Sequence, residues 1–256
     1  TTRQLSPTEH GRVFYEGARK VLEAVAQADA AVSALSGQPR GTIRVTAPLG
    51  IGRRLIASGI PDFHDRYPDI EVRLRLSDRQ VDIMKEGIDV AFRLGHLEDS
   101  SLRMRGIMDC ERVLAAAPAY LENRGEPKTP QDLLSDKHDC LMLRYPGAQE
   151  FVWTLRTPEG PRKFEVRGPF DSDDGDVVTG WALAGRGIIC KPRFDIERYL
   201  ADGQLKIVLP ENPPLPVQLA AVYPHKNFQD PKVRLLLDFM SERCQRIIRD
   251  ILSGRS

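Results

Sequence analysis

The sequence predicts an α/β protein of two lobes preceded by one long helix. Three observations predict this. A capped stretch near the start carries apolar residues at alternating steps of four and three. From Thr42 onward, short β-branched runs alternate with amphipathic ones. Near the end, after a proline-rich segment, one strand at Val217–Tyr223 stands in position to rejoin the sheet begun at Thr42. A chain that leaves a sheet, builds a second unit and returns gives a split first lobe around an inserted second one.

In order, 1–4 is a polar stub. Ser6 precedes Pro7, and Glu9 follows three residues after Ser6. That pattern reads as a capping box with proline at the first helical position. The seam then runs through Phe14, Ala18, Val21, Val25, Ala28, Val32 and Leu35, which is heptad spacing. The back face carries Arg12, Glu16, Arg19, Glu23 and Gln27, and Gly37, Pro39 and Gly41 end the helix. A helix of about 30 residues spans about 45 Å, more than one globular core requires, so a second copy of the helix is expected on the seam. The alternative is a helix packed along its own lobe.

A strand is expected at 42–47, a turn at 48–52 and an amphipathic helix at 53–67. A strand follows at 70–76, alternating Ile70, Val72, Leu74 and Leu76 with Glu71, Arg73 and Arg75. A short helix at 79–87 and a strand at 88–94 complete a βαβαβ order, which argues for parallel strands flanked by helices. Two adjoining strands in 102–118 lead into the second lobe. There, short helices are expected at 119–124 and 130–135, a strand at 140–144, a hairpin around 157–161, and a helix at 176–184. A strand at 187–191, a helix at 193–200 and a strand at 205–209 follow. Val233, Leu236, Leu237, Met240, Cys244, Ile247, Ile248 and Ile251 make the final helix, 233–252, the cleanest amphipathic stripe in the chain. The organisation expected is a stub at 1–4, a helix at 5–36, a first lobe from 41–112 and 217–256, and a second lobe at 113–216.

Composition narrows the function. The apolar fraction of 41% and charged fraction of 29% are those of an ordinary globular chain, and a net charge of +1 gives no overall signature of nucleic-acid or membrane binding. No run reaches transmembrane length and no signal peptide opens the chain. Cys110, Cys140, Cys190 and Cys244 lie scattered, so buried free thiols in a reducing cytoplasm are expected. The five histidines form no ligand spacing, and no metal site is expected. No nucleophile elbow, P-loop or Ser/His/Asp arrangement is present, so neither catalysis nor a cofactor is expected.

Between two lobes a cleft is expected, and small ligands bind in such clefts. Pro48, Leu49, Gly50, Ile51 and Gly52 follow a strand and open a helix, where free amides favour an anion or a polar oxygen. The Gly50-x-Gly52 pair partly matches a dinucleotide fingerprint, with Asp78 after the next strand, but Leu55 replaces the third glycine. A tight turn with no ligand is the plainer reading. Asp173 and Asp174 occupy the equivalent turn of the second lobe, as ligand contacts or as a helix cap. Arg93, Leu94 and Gly95 end a strand at the crossover, and Pro192 ends the strand 187–191. Arg93 reads either as a ligand contact or as a solvated, ion-paired side chain.

Taken together, several motifs resemble the LysR-type transcriptional regulators. The run Arg3-Gln-Leu-Ser-Pro-Thr-Glu-His-Gly11 is similar to the family's end-of-wing and linker-helix motif, R-x-L-x-L-T-E-A-G, with Pro7 and His10 departing from it. Gly41-Thr-Ile-Arg-Val-Thr-Ala-Pro48, Pro61-Asp-Phe-His-Asp-Arg-Tyr-Pro68, Leu76-Ser-Asp78 and Glu86-Gly-Ile-Asp-Val-Ala-Phe-Arg-Leu-Gly95 follow the effector domain in order. So do Ala117-Pro-Ala-Tyr-Leu121, Asp174-Gly175, Ala184-Gly-Arg-Gly-Ile188 and Tyr223-Pro-His225. The resemblance implies two lobes of the type II periplasmic-binding-protein fold with a small-molecule effector in the cleft. It implies a homodimer through the linker helix, with a further step to a homotetramer. It also implies DNA binding by a winged helix-turn-helix of about 60 residues ahead of Thr1, of which only the wing's edge with Arg3 remains in a chain that opens without Met. Gly50 stands where many relatives carry Ser or Thr, and Asp173 where Asn is common. Both departures point away from a carboxylate effector and toward a neutral or weakly polar one. The alternative is a solute-binding protein of the same fold. A cleft enzyme resembling porphobilinogen deaminase lacks its cofactor cysteine here.

Overall fold

The computed structural model describes residues 8–15, 17–18, 21, 24–25, 39–79, 81–95, 102–135, 137–144, 151–225, 227 and 230–254. The first helix, α1, includes 9–15, 17–18, 21 and 24–25. Among the described residues Thr8 stands at its start as a cap; Ser6, the cap expected from the sequence, lies outside them. The Thr8 hydroxyl accepts the Gly11 N–H at 3.1 Å, and the Thr8 carbonyl accepts that of Arg12 at 2.9 Å. The Thr at this position thus does what the capping-box reading assigned to Ser6. Phe14 is 78% exposed, Val21 64% and Val25 56%, so the described part of the seam is not covered by its own lobe. Ala18 is half-buried, and Ala28, Val32, Leu35 and Arg3 lie outside the described residues.

In the first lobe, strands β1 (Gly41–Ala47), β2 (Ile70–Leu76) and β3 (Val90–Gly95) run parallel, in the register Gly41↔Ile70 and Val45↔Val90. Strand β12 (Val217–Tyr223) enters antiparallel between β3 and β4 (Arg103–Cys110), with a bulge at Leu219/Ala220. The sheet order is β2-β1-β3-β12-β4, so the returning strand is interior to it. Ile43, Val45, Phe92 and Leu219 face one side and meet the final helix α7 (Pro231–Leu252) through its buried Val233, Leu236, Leu237, Met240, Cys244 and Ile248. Asp230 caps α7 by accepting the Lys232 N–H at 3.1 Å, and Pro231 fills the first turn. Each such aliphatic side chain, fully buried, contributes about 1.5–3 kcal/mol.

Two local expectations are corrected. Helix starts at Leu49, not at residue 53. It runs through α2 (Leu49–Ile51), a π turn (Gly52–Ile56), a 3₁₀ turn (Ala57–Gly59) and α3 (Ile60–Arg66). The glycines at 50 and 52 do not break it, because Gly52 is packed under Leu76, where a Cβ would come within 2.3 Å of the Leu76 Cδ2. No helix forms within the described part of 79–87. Residues 83–87 form a turn in which the Asp82 carboxylate accepts the Lys85 N–H at 3.0 Å, and Ile88 N–H bonds the Ile83 carbonyl at 3.0 Å. An Asp side chain on its own neighbouring backbone competes with the helical ladder. Val81, Ile83 and Ile88 close this turn onto the outer face of the sheet, beside Ala91 and Val222.

The second lobe has strands β5 (Arg112–Ala116), β6 (Cys140–Leu143), β9 (Asp171–Ser172), β10 (Ile188–Pro192) and β11 (Lys206–Val208), in the order β11-β5-β10-β6-β9. Alternate residues divide between its two faces. Leu114, Ala116, Cys140, Met142 and Ile188 pack under a hairpin of β7 (Val152–Thr157) and β8 (Gly160–Glu165), with α4 (Pro118–Arg124) beside it. Ala115, Leu141 and Ile189 pack under α5 (Gly175–Leu183) and α6 (Arg193–Ala201). The chain crosses between lobes at Glu111 and again at 209–216. Near the first crossing the Arg193 N–H bonds the Glu111 carbonyl at 2.9 Å, and Phe194 of α6 is buried in the first lobe's core. No described helix is long and apolar enough to cross a membrane.

Candidate functional site

Both lobes turn strand-to-helix junctions toward each other, and the groove between them, counted together with the open solvent at its mouth, amounts to about 410 Å³. The first lobe supplies Gly50, Ile51, Arg54, Asp78 and Leu94, and the second Leu143, Asp173, Gly175, Lys191, Pro192 and Asp195. The wall is mixed, with Ile51, Leu94, Leu143 and Pro192 apolar and the rest charged or glycine, a more polar lining than most small-molecule pockets have.

Pro48 sits at the N-cap position of α2, where a proline has no amide to leave unpaired. The first free amide, that of Leu49, already donates to Asp78 Oδ1 at 2.9 Å. Burial raises the Asp78 pKa, the Leu49 bond partly opposes this, and the facing carboxylates of Asp174 and Asp173 raise it further. Asp174 caps α5 by accepting the Asp176 N–H at 2.7 Å, while Asp173 is exposed toward the opening.

The cations of the cleft are neutralised internally. Lys191 and Asp195 are 5% and 7% exposed and pair at 2.5 Å, with Lys191 also donating to the Gly175 carbonyl at 3.3 Å. Arg54 extends from the first lobe to donate to Asp176 Oδ1 at 2.9 Å and to Asp195. Burial alone would lower the Arg54 pKa; Asp195 and Asp176 more than reverse that, and it is raised. Two glycines give these cations room. A Cβ at Gly50 would lie 2.8 Å from Arg54 Nη2, and one at Gly175 would lie 2.8 Å from Lys191 Nζ.

The cleft thus brings together five of the residues singled out from sequence: Gly50, Ile51, Leu94, Asp173 and Pro192. Pro48 and Leu49 stand just behind the wall, Gly52 turns into the core, Asp174 serves as a cap, and Gly95 ends β3 outside the lining. Arg93 is on the opposite face of the sheet from Leu94. It donates to the Val81 carbonyl at 3.4 Å, and burial lowers its pKa; no carboxylate pairs with it among the described residues. The strand's period of two decides this: Leu94 can face the cleft only if Arg93 does not. Arg54, Lys191 and Asp195 were not singled out from the sequence. The usable signals were the four-residue step from Gly50 to Arg54, one helical turn, and the same step from Lys191 to Asp195 at the end of an apolar strand. No group of three or more metal-ligating side chains occurs among the described residues.

A family model described as the LysR substrate binding domain matches residues 36–245. The chain is 33% identical over 242 residues to the HTH-type transcriptional regulator DmlR of Escherichia coli K12, covering 94% of this chain and 78% of that one. It is 30% identical over 245 residues to the HTH-type transcriptional activator TtdR of the same strain, covering 96% and 78%. Among solved structures, the full-length Vibrio cholerae virulence activator AphB superposes with a TM-score of 0.69 at 30% identity, over 94% of this chain and 81% of that chain. CrgA, a LysR-type transcriptional regulator from Neisseria meningitidis, superposes with a TM-score of 0.70 at 29% identity, over 95% and 82%.

Proposed function

Because the chain belongs to the LysR family of transcriptional regulators, we propose that it senses a small organic molecule in the cavity between its two lobes and passes occupancy to a DNA-binding module through α1. Its two sheets are the halves of the family's type II periplasmic-binding-protein fold, and its relatives are regulators rather than enzymes or carriers. The observation that carries the sensing reading is the cavity itself, lined by five residues of one lobe and six of the other. A ligand touching both lobes binds one lobe arrangement better than another and shifts the population toward it.

The effector we propose is neutral and polar. Arg54 and Lys191 are already matched to Asp176 and Asp195, while Asp78 and Asp173 face each other across the opening. An added carboxylate would meet more negative than positive charge. The Asp78 and Asp173 oxygens are placed to accept bonds from hydroxyl or amide donors. A thermal melt against sugars, lactones, enones, amino acids and small aromatic acids tests this. A ligand at about 100 times its Kd stabilises by about 2.7 kcal/mol, and Asp173→Ala removes that shift. A shift indifferent to Asp173→Ala and Leu94→Ala would place binding elsewhere; a carboxylate as the strongest binder would overturn the neutral class.

We propose self-association through α1 as a homodimer, with pairing of lobes giving a homotetramer, in the cytoplasm where the operator is. Support comes from Phe14, Val21 and Val25, exposed at four- and three-residue steps beside the half-buried Ala18. DNA contact falls to residues ahead of α1, including Arg3. Phe14→Asp with Val21→Asp lowers the sedimenting mass; an unchanged mass refutes the helix as the dimer seam.

A further inference from the structure

We propose that Arg54 is a latch that holds the two lobes together, and that a ligand in the cleft acts by displacing it. The second half rests on the sensing reading above; the first does not. One guanidinium of the first lobe reaches two helices of the second: Asp176 in the first turn of α5 at 2.9 Å, and Asp195 in the first turn of α6. Arg53 supports it from 3.7 Å off Asp176. The other ion pairs among the described residues join groups of a single lobe.

The two anchor points are not equivalent. Asp195 follows Phe194, which is buried in the first lobe's core, and the backbone of Arg193 is bonded to Glu111 at the crossing. That end of α6 is therefore a pivot. Asp176 lies on α5, packed on the second lobe's own core through Val178 and Ala182. Releasing Arg54 leaves the pivot in place and frees the α5 side to swing.

Gly50 is part of the device. Within 4 Å, a Cβ there meets Arg54 and nothing else, at 2.8 Å from Nη2 and 3.8 Å from Cζ. An alanine at 50 thus evicts the end of one flexible side chain without touching backbone or core. A ligand seated over Gly50 enters the same space, because Gly50 and Arg54 both line the cavity. Arg54 Nε is buried with no hydrogen-bond partner, so moving the side chain breaks no bond at that atom.

Nitroxide labels at Asp65 in the first lobe and Lys163 in the second, both exposed, read the interlobe distance by pulsed electron resonance. The intact regulator is diluted with unlabelled protein so that only pairs within one chain count. Arg54→Ala and Gly50→Ala each raise the ratio of long to short distances about five- to tenfold, the range for losing two partly exposed ion pairs. The double variant opens no further than Arg54→Ala alone. About 1 M salt opens the wild type by more than it opens the double variant, in which only the Arg53–Asp176 pair still spans the lobes. An unmoved distribution in Arg54→Ala overturns the latch, as does a Gly50→Ala effect that adds fully to that of Arg54→Ala. None of these measurements needs an effector, so a failed sensing reading leaves them standing. An effector found by melting should then open the wild type and leave Arg54→Ala unmoved; opening both equally overturns the displacement half alone.

Discussion

Removing one member of the buried Lys191–Asp195 pair should cost far more than removing both. In Asp195→Ala, Lys191, 5% exposed in the intact pair, keeps the Gly175 carbonyl at 3.3 Å as its remaining hydrogen-bond partner among the described residues. Stranding a buried charge costs about 3–5 kcal/mol. Arg54, a third exposed and still holding Asp176, adds less than about 1 kcal/mol. A total near 4 kcal/mol, at a urea slope of about 3 kcal/mol per molar for a chain of this size, moves the unfolding midpoint down by a little over 1 M. The paired replacement Lys191→Met with Asp195→Leu removes the charge and fills the volume, so it should recover at least half of the loss. Protein concentration must be fixed throughout, since an oligomer's apparent stability depends on it. A cost below about 1 kcal/mol for Asp195→Ala, or a double variant as weak as the single one, would refute the claim that this pair is desolvated and matched.

Three other outcomes are expected. Gly52→Ala places a Cβ 2.3 Å from Leu76 Cδ2 and should destabilise by about 1–3 kcal/mol; Leu236→Ala, at a fully buried position of α7, should cost about 2–5 kcal/mol, both read from denaturant midpoints. Asp78 has a folded pKa raised above the usual 3.8, first by burial and then by the carboxylates facing it. Its contribution to stability is present in acid and lost as pH rises through the raised value, so Asp78→Asn should gain stability at pH 7 and lose that advantage toward pH 4 in a series of melts. Burial pushes the thiols up, Cys110 to about 11 and Cys140 and Cys244 to about 12. Mass spectrometry after iodoacetamide at pH 7 should find these three unmodified in the native protein and modified in urea.

Two elements were placed well for different reasons. Strand β12, buried on both faces, occupies the 217–223 expected from its continuous apolar run, and α7, buried on one face alone, begins only two residues before its apolar stripe, at the Pro231 supplied by an Asp-Pro cap. Periodicity is a record of burial, so it is strong where burial is one-sided. It fails at 79–87, where Val81, Ile83 and Ile88 are buried at steps of two and five that no single helix face has, while Asp82 ties the backbone into a turn. The cleft was half legible for a related reason. Glycines and apolar residues at the junctions mark where backbone can approach a ligand. A charged side chain such as Arg54 looks the same in the sequence whether it faces water or the opposite lobe. Arg93 was the converse case, a cation at a strand end whose side follows only once Leu94 is known to face the cleft.

The strand order carries a consequence for synthesis. Among the described residues, strand β4 has no hydrogen-bonded neighbour in its sheet except β12, so on the ribosome it waits while everything between residues 110 and 217 is made. At elongation speeds of about 5–20 residues per second that interval is roughly 5–20 seconds. The strands of the second lobe all lie inside it, from Arg112 to Val208. The lobe that begins later is therefore the one that can finish first, and the earlier lobe remains an unsealed sheet with an apolar face until Val217–Tyr223 emerges.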